Sequence, residues 1–192
     1  MMKKLSALMM ALILVCAGTV GSASAEETLS CFVPNEVVDA YNSLMYSTLI
    51  DYGFGEEEDL LEQLISIYYL EFTETMTPEG STETYAYYNN AGWQIELSAY
   101  YPENADLDRP ASSITYSISE DYSEGILSLA AAIWVYVLAD DLEDLDVNAA
   151  YDLITKVWLE GSETQVAETE EITLMVMRAS ERCYLAFLPK NK

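Results

Sequence analysis

Residues 126–139 read ILSLAAAIWVYVLA, the most apolar stretch of the chain beyond its first 25 residues. As a helix it would extend about 21 Å, well short of the ~30 Å hydrocarbon layer of a bilayer. It runs directly into Asp140 and Asp141 with no Lys or Arg flank, so it is read as the buried central helix of a globular domain. Asp121 with Glu124 three residues on has the spacing of a capping box. Ala130, Ala131 and Ala132 leave room for a neighbouring backbone to approach closely.

Every segment around this stretch has the pattern of something that covers it. A helix is expected from Pro34 to Gly53, since Pro suits the first helical turn and Gly the position just past the end. Val37, Val38, Tyr41, Leu44, Met45 and Leu49 supply its apolar face. Residues 56–72 carry a helical spacing of Leu60, Leu61, Leu64, Ile65, Tyr68 and Phe72 behind four leading acids. Ile65, Ile67 and Tyr69 also alternate, which allows a strand that pairs across a turn at 77–80. Residues 84–89 and 93–101 form a strand hairpin, and Ile114, Tyr116 and Ile118 alternate with Thr115, Ser117 and Ser119 in a third strand.

Beyond the apolar stretch, Asp146 is placed to cap a helix bearing Val147, Ala150, Tyr151, Ile154, Val157 and Trp158, with Gly161 at its end. Residues 172–177 and 182–188 make a second hairpin around Ala179 and Ser180. The first of these strands is apolar on both sides, as in a strand covered on both faces.

The fold expected is α+β: an antiparallel sheet of about five strands packed on helices that include the central one. Residues 34–102 and 124–189 both read helix, helix, strand, strand, a pseudo-repeat of element order with poor residue identity. The order is similar to that of secreted protein inhibitors built from tandem helix-helix-sheet units, a likeness of order with no shared motif.

Residues 1–25 have the make-up of a secretory signal peptide, with Lys3 and Lys4, an apolar run from Leu5 to Ala17, and Ala23-Ser24-Ala25 for cleavage. Val15, bulky where a small residue precedes a lipidated cysteine, argues against lipidation of Cys16. The division expected is leader 1–25, lead-in 26–33 and one domain from 34 to 192, exported to the periplasm or the extracellular medium. The 167 residues left after cleavage suffice to bury about 70% of the unfolded surface, so folding needs no cofactor.

The leader holds two of the eight basic residues and none of the 33 acids, so the rest carries 6 against 33, a formal charge of −27. Such a chain is repelled by nucleic acid and by anionic membranes, and no membrane insertion is expected after cleavage. The charge serves solubility or a cationic partner. Cys31 and Cys183 are the cysteines left, one near each end, and an oxidising compartment favours a disulfide between them.

With no histidine in the chain, Ser-His and Cys-His nucleophile pairs and His-ligated zinc are excluded. No G-x-S-x-G, P-loop or G-x-G-x-x-G occurs. A glycosidase needs two carboxyls at a set separation, and 33 acids make one such pair unremarkable. Asp140, Asp141, Glu143 and Asp144 form a weak calcium candidate. The EF-hand spacing from Asp144 fails, because Ala149 stands where Gly is required and Thr155 where Glu is. Trp93, Tyr85, Tyr87 and Tyr100 are the aromatics placed to stack on a ligand.

The function expected is a non-enzymatic module binding an extracellular protein or carbohydrate. The alternatives are a small carbohydrate-active hydrolase using two carboxylates and a calcium-stabilised surface protein.

Overall fold

The computed structural model describes residues 33–53, 56, 68–76, 82–89, 94–101, 106–139, 145–170 and 172–190. The leader, most of the lead-in, the helical pattern of 57–67 and the acids of 140–144 lie outside these residues. Three helices and seven strands are found among them. Their order is α1 (Pro34–Asp51), β1 (Tyr68–Met76), β2 (Thr82–Asn89), β3 (Ile95–Tyr101), β4 (Ser113–Ser119), α2 (Glu124–Ala139), α3 (Val147–Trp158), β5 (Gln165–Glu168), β6 (Ile172–Ala179) and β7 (Arg182–Pro189).

The strands form one sheet in the order β1-β2-β3-β4-β7-β6-β5, with every neighbouring pair antiparallel. The α+β class and the antiparallel sheet are as expected. The five expected strands are β2, β3, β4, β6 and β7, and one further strand flanks them at each edge. β1 takes the strand alternative for its segment, beginning at Tyr68 and pairing with β2, with a register irregularity between Tyr69 and Glu71. β5 arises in a polar stretch of four residues and pairs with β6. A short, polar edge strand of this kind discourages pairing with another chain.

Two meanders therefore meet at β4 and β7. Both centre strands are buried along most of their length, β4 through Ile114, Tyr116 and Ile118 and β7 through Cys183, Leu185 and Phe187. Strand β6 is buried on one face through Ile172, Leu174 and Val176, whereas on the other Thr173 and Met175 are half-buried and Met177 is buried.

The helices lie on a single face. Tyr41 of α1, Trp134 of α2 and Trp158 of α3 all reach Tyr116, with ring centroids 5.6, 4.6 and 6.4 Å from it. Trp134 also meets Phe187 at 6.1 Å. In α2, Leu127, Ala130, Ala131, Ile133, Trp134, Val135 and Leu138 are buried, while Tyr136 is 63% exposed. Ala130 and Ala131 are buried and Ala132 is half-buried, in a helix that packs against both α1 and α3.

The ends of these helices follow from local chemistry, with one correction. Pro34 opens α1, and Gly53 at φ +85° follows its last turn. Asp146 caps α3, its Oδ1 accepting from the Asn148 and Ala149 N–H groups at 3.1 Å each. At α2 the cap is Ser123 rather than Asp121. Its carbonyl accepts from Ile126 and Leu127, and its hydroxyl from Ile126 at 3.4 Å, because the helix begins two residues later than the Asp121 spacing implies. Arg178 donates to the Trp158 carbonyl at 2.9 Å, placing a cation on the negative end of α3.

The second helix of the first pseudo-repeat unit falls at 57–67, so the echo of element order lies partly outside the described residues. Among the described residues no helix is long and apolar enough to cross a membrane.

Candidate functional site

Alternation along each strand divides the sheet into two faces. Ile95, Leu97 and Ala99 of β3 point toward the helices and are fully buried. Glu96, Ser98 and Tyr100 take the opposite face, where none of the described helices packs. Register extends that face across the sheet: Tyr85 pairs with Tyr100, Tyr87 with Ser98, Ser98 with Thr115, and Thr115 with Ala186. A second line runs Glu96, Ser117, Tyr184, Met177.

Three of the four aromatics picked from the sequence thus occupy positions on one face, although they come from two strands. Tyr100 is half-buried there. Trp93 lies outside the described residues.

Between these positions the face is made of small hydroxyl side chains. Ser98, Ser113, Thr115 and Ser117 are all buried. Ser117 is held by Arg182, whose Nε and Nη2 donate to its Oγ at 3.1 and 2.8 Å and whose Nη2 also reaches the Ser117 and Gln94 carbonyls at 3.3 and 3.4 Å. Ser98 donates to the Glu96 carboxylate at 2.9 Å. Burial raises the pKa of Tyr184, with Arg182 opposing the shift and Glu96 adding to it, so its phenol is a neutral donor at ordinary pH. Sequence reading singled out none of Glu96, Ser117, Arg182 or Tyr184. The alternation of Ser and Thr in β4 was visible, but which strand would lie beside it was not.

The other residues chosen from the sequence do not join this face. Cys183 sits on the helix side, paired in register with Ile118 and Arg178, and burial pushes its thiol pKa up to about 11. Cys31 lies outside the described residues, as do Asp140, Asp141, Glu143 and Asp144. Asp146, the third position of the calcium-loop spacing, spends its Oδ1 on two backbone N–H groups. Among the described residues no group of three or more Asp, Glu, Cys or His side chains is gathered as for a metal ion.

No family model, curated protein or solved structure matches this chain. What the arrangement can do follows from its chemistry. The hydroxyls of Ser98, Ser113, Thr115 and Ser117 and the phenol of Tyr184 are buried, and on β3 Glu96 and Tyr100 stay partly exposed, a carboxylate and a phenol ring on a rigid strand.

Proposed function

We propose that the chain is a secreted, acidic, non-enzymatic domain that binds a partner, protein or carbohydrate, at the part of the helix-free face that stays partly exposed, Glu96 and Tyr100 of β3. The observation that supports this reading is that Tyr100 and Glu96 of β3 are partly exposed on that face, whereas Ser98, Thr115, Ser117, Tyr184 and Ala186 beside them are buried. Tyrosine beside serine is the residue mixture that rigid recognition surfaces favour. The ring supplies contact area with two side-chain torsions to fix, and the small hydroxyl adapts its hydrogen bonding. Aromatic enrichment with few charges at the centre also distinguishes interface cores from ordinary surface. Export through residues 1–25 and a bond between Cys31 and Cys183 belong to the same reading.

The test is capture by the immobilised, oxidised protein from culture medium and cell-envelope material. Tyr100→Ala should abolish recovery of the captured species, and Tyr52→Ser, just past the end of α1 at a side chain 72% exposed, should leave it unchanged. Recovery that survives the first change and is lost with the second would move the binding surface to the helices.

A further inference from the structure

We infer that the outer side of the helix layer is a second docking surface, and that its occupant is a cationic amphipathic helix, an apolar stripe flanked by lysine or arginine. This surface lies across the sheet from Glu96 and Tyr100 and does not depend on them. A helix on the outside of a two-layer fold ordinarily turns a charged side to water. Helix α2 does not. Gly125, Leu129, Ala132 and Tyr136 recur at three- and four-residue steps on the side away from its buried Leu127, Trp134 and Leu138, and none of the four is charged. Gly125 is exposed, Leu129 and Ala132 are half-buried, and Tyr136 is 63% exposed. On α1, Tyr46 and Ile50 stand one turn apart at 49% and 42% exposure.

The two helices run antiparallel. The Asn35 N–H at the start of α1 donates to the Leu107 carbonyl, in the loop that leads into Ser113 of β4, whereas α2 starts beyond Ser119 at the other end of that strand. Tyr41 stacks on Trp134 at 5.3 Å and fixes their level. Tyr46 and Ile50 therefore stand toward Leu129, and Glu36 and Asp39 toward Tyr136. Apolar side chains left outside the core in this way mark a contact surface, and charge selects its occupant. Glu36 and Asp39 on α1 and Asp152 on α3 border the α2 stripe, and the only cation on the three helices is Lys156. A second copy of the chain would set these acids against their like. A helix with ammonium or guanidinium groups beside its apolar stripe meets both the rings and the acidic borders.

The test uses a labelled leucine-lysine peptide of about four helical turns, amphipathic when helical, and its scrambled isomer of the same charge. Fluorescence anisotropy against the purified protein at physiological salt should show the amphipathic peptide binding at least about tenfold more tightly than the scrambled one. Tyr136→Ser and Tyr46→Ser should each weaken it about tenfold, as for an aromatic anchor of an interface, and Asp39→Asn about threefold. Val166→Ser, an exposed apolar residue at the far edge of the sheet, should leave it unchanged. Equal binding of the two peptides would overturn the proposal, since charge alone would then account for it. No binding, or affinity unchanged in both serine variants, would overturn it as well. A dimer of the free protein that Tyr136→Ser dissociates, seen by sedimentation, would give the surface to a second copy and overturn the cationic helix.

Discussion

The hydroxyls of Tyr41 and Tyr116 lie 3.2 Å apart in the middle of the core, joining α1 to the centre strand β4 across 75 residues of sequence. Both side chains are fully buried, and their rings stack or tilt against Trp134 at 5.3 and 4.6 Å. Each phenol satisfies the other in surroundings where an unpaired hydroxyl is expensive.

Removing either hydroxyl strands its partner. Tyr41→Phe and Tyr116→Phe should each lower unfolding free energy by about 1–3 kcal/mol. The double variant should be less destabilised than the sum of the two, because no orphaned group remains. Urea unfolding of the four proteins measures the coupling; strict additivity would show that the pair does not interact.

The same two groups set an alkaline limit. Burial raises the pKa of both Tyr41 and Tyr116; the neighbouring phenol adds to the rise at Tyr41, whereas at Tyr116 the hydrogen bond with Tyr41 opposes it. Above pH ~10, where an unfolded tyrosine ionises, the folded chain holds more protons than the unfolded one. Stability is therefore intact below that pH and falls as pH climbs from there toward the folded pKa values. Tyrosinate absorbance should rise together with loss of the far-ultraviolet signal. Smooth ionisation of these two phenols in a still-folded protein would contradict the burial described.

The turn between β6 and β7 puts Ser180 at φ 53° and Glu181 at φ 67°. Two consecutive left-handed residues are the requirement of a type I′ hairpin turn, for which Asn-Gly is the favoured pair. Replacing Ser180-Glu181 by Asn-Gly should stabilise the fold by about 1 kcal/mol. The Glu181 carbonyl that accepts from Glu120 N–H at 3.0 Å is retained in that variant. A lower melting temperature would mean that the Glu181 side chain holds the turn in some other way.

Packing around α2 should be intolerant of added volume. Ala130→Leu, at a fully buried position, is expected to cost about 1–3 kcal/mol. Tyr136→Ser, on the exposed side of the same helix, should change stability by less than about 0.5 kcal/mol. Thermal melts of the two variants give the comparison directly.

If Cys31 and Cys183 are joined, the exported protein will show no titratable thiol even when unfolded. Reduction should then lower stability by up to about 5 kcal/mol, since the bond closes a loop of roughly 150 residues. Two thiols appearing on denaturation without reductant would remove the bond from this description.

Much of this architecture was legible from local pattern. Period-two alternation in β3 and β4 named the residues that reach the core, and Pro34, Asp146, Gly53 and Gly161 marked helix ends through backbone chemistry that needs no distant partner. Residues 68–76 were ambiguous because Tyr68 and Phe72 fit a helical stripe as well as a strand. Hydrogen bonding to β2 resolved them, and no neighbour of theirs in sequence could have done so. Strand β5 is four residues long, too short for its alternation to stand out from a polar loop.

The candidate face divides in the same way. The sequence by itself determined that tyrosines alternate along 84–89, that serine and threonine line one side of β4, and that the chain is strongly acidic, since these are properties of neighbours and of composition. Only the tertiary structure decided that β7 lies against β4, which sets Tyr184 and Arg182 beside Ser117 and completes the face opposite the helices. That pairing joins residues more than sixty positions apart, and its free energy comes from burying both strands between two meanders, a gain that no local periodicity encodes.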